Sequence, residues 1–107
     1  MEDKRKPIIE YIGEAALLEQ LAEEACELGH AALKLARVLR MENPTPVSEE
    51  KATDNLIEEF TDVVLCANSL DLKTDKQMYT SKINRFYERM AEFDTGGRKL
   101  KLVVKGD

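Results

Sequence analysis

The 107-residue sequence contains two cysteines, one histidine and no long apolar run. Each shortage excludes something. Cys26 and Cys66 stand far apart without a CxxC pattern, so neither a zinc site nor a disulfide scaffold is suggested, and free thiols fit a cytoplasmic protein. Apolar runs are only a few residues long, as in Val63-Val64-Leu65-Cys66, so no segment is expected to span a bilayer. Charges at the N-terminus, Met1–Pro7, precede no apolar stretch, which argues against a signal peptide. Basic charge is also short. With 16 Lys+Arg against 21 Asp+Glu the net charge is -5, the wrong sign for a protein that binds a nucleic-acid polymer by neutralising phosphates.

What is present is helical. Charged residues at 35% beside apolar residues at 43% suit a small all-α domain. Three helices are predicted. The first begins at about Ile8 or Glu14 and ends at Arg40, with Leu18, Leu21, Ala25, Leu28, Ala32, Leu35 and Leu39 as its apolar stripe. Asn43-Pro44-Thr45-Pro46 stops it. Ser48 then caps a second helix, with Glu49 and Glu50 in the first turn and Leu56, Phe60, Val63, Ala67 and Leu70 as the apolar face. That helix fades at Asp71-Leu72-Lys73. Thr74-Asp75-Lys76-Gln77 reads as a capping box for a third, whose face is Tyr79, Ile83, Phe86, Met90 and Phe93 and which ends at Gly96-Gly97. The tail 98–107 is either an extended arm or disordered. Stripes this long exceed what one small chain can hide, so the antiparallel helical bundle is expected to be completed by oligomerisation.

The acids are not spread evenly. At about 100° per residue, Glu23, Glu24 and Glu27 fall within roughly 60° of one another beside Leu21, Leu28 and Leu35. Glu59 and Asp62 share a side of the second helix, with Cys66 close by. Carboxylates gathered on two seam edges raise one another's pKa unless a cation neutralises them, and Mg²⁺ or Mn²⁺ suits oxygen ligands. Ordinary solvated helix faces also carry such spacings. Lys82, Arg85 and Arg89 form a basic row on the third helix, suited to polyphosphate or to surface ion pairs with Glu88 or Glu92.

Glu23-Glu24-Ala25-Cys26-Glu27 followed by Glu59-Phe60-Thr61-Asp62 resembles the EExxE … ExxD signature of the MazG-like all-α nucleotide pyrophosphohydrolases. Their superfamily includes the all-α dUTPases and the phosphoribosyl-ATP pyrophosphohydrolases. The likeness covers roughly residues 14–92. The gap between Glu27 and Glu59 is slightly longer than the family's, and Thr61 stands where a Gly often precedes the Asp. The resemblance implies hydrolysis of a nucleoside triphosphate between its α and β phosphates, with Mg²⁺ (Mn²⁺ able to substitute). The oligomer is expected to be a homodimer or a dimer of dimers, a number the apolar stripes do not fix. The resemblance also implies Glu24, Glu27, Glu59 and Asp62 as metal ligands. Glu23, with Glu24, would orient or deprotonate the attacking water. Lys82, Arg85 and Arg89 would contact phosphates, with Lys34 as a further candidate. Asn68 could contact a base or simply be a polar residue near a helix interface.

Two other readings stand beside it. Glu27-Leu28-Gly29-His30 is a Glu-x-x-His pair, as in di-iron carboxylate bundles, although a second copy would have to come from another subunit. The leucine stripe alone would serve a non-catalytic module that dimerises or binds a partner.

Overall fold

The computed structural model describes residues 3–41 and 46–95. Four helices account for most of them: α1 Arg5–Ile12, α2 Glu14–Arg40, α3 Glu49–Ser69 and α4 Lys76–Thr95. The described residues contain no strand. No helix among them is long and apolar enough to cross a membrane. The expected tail and the Asn43-Pro44-Thr45 stop lie outside the described residues.

The first predicted helix, α2, begins at Glu14, the later of its two expected starts, and ends at Arg40; the separate helix α1 precedes it. Gly13 sits at φ 95°, ψ 149°, a backbone conformation unfavourable to residues with a Cβ. Its N–H bonds Ile9 O at 2.8 Å to close α1, and its carbonyl accepts from Leu17 N at 3.0 Å to open α2. Ser48 caps α3 as the sequence indicates, accepting from Lys51 N at 3.1 Å. At the other end of α3, Asp71 is left-handed (φ 56°), Leu72 N bonds Ala67 O at 2.9 Å, and Asp71 N bonds Asn68 O at 3.0 Å. This paired arrangement is a Schellman stop, built without glycine. The α4 cap lies one residue beyond the expected Thr74: Asp75 Oδ1 accepts from Met78 N at 2.8 Å. A short carboxylate reaches the third amide and complements the helix dipole there.

The chain forms two compact units that divide after Lys73. In the first, α2 and α3 pack as an antiparallel pair and α1 rests on both. The α2 residues turned inward are Leu17, Leu21, Glu24, Leu28, Ala31, Leu35 and Val38. Their spacing alternates four and three, the repeat of a coiled-coil seam. On α3 the inward residues include Ala52, Leu56, Glu59, Val63, Cys66 and Leu70, with the same alternation. Leu17, 2% exposed, is the largest side chain fully buried in the unit. Burying a leucine contributes about 1.5–3 kcal/mol.

This seam differs from the predicted stripes. Leu21, Leu28 and Leu35 belong to both, but Leu18, Ala25, Ala32 and Leu39 are exposed, and so is Phe60 on α3. Two apolar stripes adjoin on α2, and periodicity alone chooses the one free of acids. The chain buries the other, which contains Glu24.

The second unit contains α4. Tyr79, Ile83, Phe86 and Phe93 of its apolar stripe are exposed, whereas Met90 is half-buried.

Candidate metal centre

Three carboxylates meet where α2 and α3 run side by side. Glu24 and Glu27, one helical turn apart on α2, and Glu59 on α3 each offer an oxygen, and these oxygens all lie within 4.8 Å of one another. Glu24 and Glu59 occupy seam positions and are half-buried, while Glu27 is exposed at the rim. One oxygen of each half-buried group, Glu24 Oε2 and Glu59 Oε2, has essentially no accessible surface and no hydrogen-bond partner. No lysine, arginine or histidine ion-pairs with the three acids among the described residues.

The proton affinities follow from this placement. Loss of solvent contact raises the pKa of Glu24, and the charges of Glu27, Asp62 and Glu23 push it further the same way. Glu59 is raised first by desolvation, then by Glu27, which can share a proton with it, and by the charges of Asp62 and Glu24. The thiol of buried Cys66 is also raised, by burial and then by Glu24 and Asp62, so it stays protonated beneath the acids.

The donor set fits a hard divalent cation. All three donors are oxygens, and bond lengths of about 2.0–2.6 Å let one ion hold oxygens up to roughly 4–5 Å apart. A cation would also supply the positive partner that the two buried oxygens lack. The structure thus brings together Glu24, Glu27 and Glu59 from the expected set. Asp62, half-buried on α3, adds its charge but is not among the three converging ligands. Glu23 is exposed and contributes charge to Glu24.

Past Glu27 and Glu59 the surface between α2 and α3 opens into a groove of about 420 Å³, lined by His30, Ala31, Lys34, Arg37 and Asn55. Lys34 therefore lines the same groove as Glu27 and Glu59. Arg37 and Asn55 are additions that sequence reasoning missed. Asn55 precedes Glu59 by one turn, so extending the α3 motif finds it, whereas Arg37 follows Lys34 by one turn and Glu27 by nearly three, and the motif does not reach it. Lys82, Arg85 and Arg89 occur on α4, in the second unit, within one helix and at spacings that share a side. Asn68 lines a separate recess with Arg5, Lys6 and Asp71. Compared with protein-family models, with curated proteins and with solved structures, the chain matches none.

Proposed function

We propose that the protein is a Mg²⁺-dependent pyrophosphohydrolase that cleaves a nucleoside triphosphate between its α and β phosphates, releasing a nucleoside monophosphate and pyrophosphate. The observation that carries this reading is the gathering of Glu24, Glu27 and Glu59 within 4.8 Å, with two carboxylate oxygens left buried and unpartnered. The EExxE … ExxD pattern supports it.

In this reading Glu24, Glu27 and Glu59 hold the metal, Mg²⁺ or Mn²⁺, and Asp62, the fourth ligand that the resemblance implies, adds its negative charge beside them. Bound there, the cation would neutralise phosphate charge and acidify a water molecule. Glu23, exposed beside Glu24, orients that water or takes its proton. Lys34 contacts the phosphates from the first unit; Lys82, Arg85 and Arg89, the other phosphate contacts that the resemblance implies, form a basic row within the second unit, where arginine offers a two-pronged fork. The working form is a homodimer or a dimer of dimers, because Leu18, Leu39, Ile57 and Phe60 leave apolar surface exposed on α2 and α3. No nucleic-acid polymer or membrane partner is invoked.

A panel of nucleoside and deoxynucleoside triphosphates, with ordinary and modified bases, tests the proposal in the presence of Mg²⁺. Pyrophosphate appearing with a monophosphate supports it. Orthophosphate alone, or no turnover across the panel, overturns it. A partner-binding module without catalysis has no use for the acids, so its melting temperature would ignore Mg²⁺ in both wild type and a Glu24→Gln/Glu27→Gln variant. Tightly held iron with redox behaviour would instead favour the Glu27/His30 pair as part of a di-iron centre.

A further inference from the structure

The groove beside the acids reverses the sign of its charge along one helix. On α2, Glu24 and Glu27 are followed by His30, Lys34 and Arg37, all three lining the groove with Glu27. Across it α3 contributes Asn55 and Glu59. Beyond Glu27 and Glu59, no carboxylate lines it.

Lys34 is half-buried, and neither Lys34 nor Arg37 has an acidic partner among the described residues. An anion entering the groove would supply the counter-charge that these two side chains lack among the described residues. Two helical turns, about 10 Å, separate the backbones of Glu27 and Lys34. Helical side chains lean toward the N-terminus of their helix, so the stems of Lys34 and Arg37 extend toward the carboxylates. Arg37 stands one turn past Lys34, about 15 Å from Glu27 along the axis, so the acids and the two cations mark successive positions along one groove.

We propose that Lys34 and Arg37 form an anion-receiving arm of the site. They hold the end of a di- or triphosphate chain whose other phosphates face Glu24, Glu27 and Glu59. Asn55 donates its amide to the same chain from the α3 side. The arm belongs wholly to the first unit. It selects chains of two or more phosphates over a single phosphate, because only a chain reaches both ends. The assignment rests on the metal-centre reading for the opposite end of the ligand, while the arm itself is open to an independent test.

The test uses the full chain and three titrations: Mn²⁺ alone, inorganic tripolyphosphate with Mg²⁺, and tripolyphosphate with EDTA. Lys34→Gln/Arg37→Gln should bind Mn²⁺ as wild type does and lose tripolyphosphate affinity on the order of 100-fold. Arg37→Lys, which keeps the charge but not the fork, should lose on the order of tenfold. Orthophosphate should bind wild type far more weakly than tripolyphosphate. Equal tripolyphosphate binding by wild type and both variants overturns the arm, as does failure of wild type to bind it with or without metal. If wild type ignores Mn²⁺ yet binds tripolyphosphate through Lys34 and Arg37, the metal centre fails and the arm stands. Unchanged Mn²⁺ binding also shows that a variant is folded. Should the double variant not fold, Arg37→Lys against wild type decides.

Discussion

Glu24 on α2 and Glu59 on α3 bring carboxylate oxygens within 4.8 Å of each other across the helix seam, and each keeps one oxygen that neither water nor a hydrogen bond reaches. Both stand at positions where the coiled-coil repeat calls for an apolar residue. Leu21 and Leu28 flank Glu24, and Leu56 and Val63 flank Glu59, at the same spacing. Placing like charges there opposes folding unless a cation neutralises them.

Divalent cations should stabilise the native chain. A ligand that binds the folded state alone raises the melting temperature in proportion to the logarithm of its concentration over Kd. Wild type at neutral pH should gain several degrees in millimolar Mg²⁺ or Mn²⁺, and Glu24→Gln/Glu27→Gln should gain none. A thermal denaturation series across metal concentrations measures it; equal gains in both proteins would place the cation elsewhere.

Acidity should act with an unusual sign. The folded-state pKa values of Glu24 and Glu59 are raised above the ordinary 4.5, so the folded protein binds protons the unfolded chain has released. Their destabilisation is absent below about pH 4.5 and grows as pH rises through the raised values. Metal-free protein should therefore melt higher at pH 5 than at pH 7.5. Metal requires the ionised acids, so the gain from Mg²⁺ should run the other way and vanish on acidification. Asp3 behaves conventionally: its bonds to Arg5 lower it to about 2, so its contribution is present above pH 3.8 and lost as pH falls toward 2. Paired melting curves with EDTA and with Mg²⁺, from pH 4.5 to 8, separate the two effects of the acids and stay above the range in which Asp3 titrates.

A single substitution should exchange binding for stability. Glu24→Leu fills the one polar position in the inward run of Leu17, Leu21 and Leu28, and it removes one of the like charges. The variant should melt several degrees above metal-free wild type at pH 7.5 and lose its response to Mg²⁺. A drop in melting temperature without metal would mean that the acid already has a partner in the folded chain.

Local signals in the sequence are readable where one residue decides the geometry. Ser48 has a hydroxyl at the right distance from the α3 amides, and its cap is where the sequence indicates. The Asp71 stop is equally local. Thr74 and Asp75 are both competent caps, and sequence does not rank them; Asp75 wins, with its carboxylate on Met78 N. The seam is harder to read for a different reason. Leu17 and Leu18 adjoin, two stripes fit the same period, and an acid at 24 makes the correct stripe look the poorer one. Consistency of pattern fails where the chain keeps carboxylates inside. Asn55 stands one turn before Glu59 and Arg37 nearly three turns past Glu27, and only packing of α2 on α3 brings them to one groove.

The Ser48 cap gives a stability test of the α2–α3 pair. Its hydroxyl satisfies one of the amides that α3 leaves without an intrahelical partner. Ser48→Ala should cost about 1 kcal/mol by denaturant titration with an unchanged slope. Ser48→Asp should restore it, because the carboxylate both accepts the bond and complements the helix dipole. Loss in both variants would shift the role of Ser48 from capping to the connection before α3.

Exposed apolar residues on α3 make the last prediction. Ile57, Phe60 and Val64 are 57%, 55% and 36% exposed, and at spacings of three and four they share one side of the helix. If that side joins subunits, Ile57→Ser/Phe60→Ser should lower the mass measured by light scattering to that of one chain at micromolar concentration. Neither residue is among the acids or the groove lining, so Mg²⁺ should still raise the variant's melting temperature if each site lies within one chain. Wild type already running as a monomer would remove oligomerisation from the proposed function. A variant that dissociates and also loses its response to Mg²⁺ would show that the site needs the second copy.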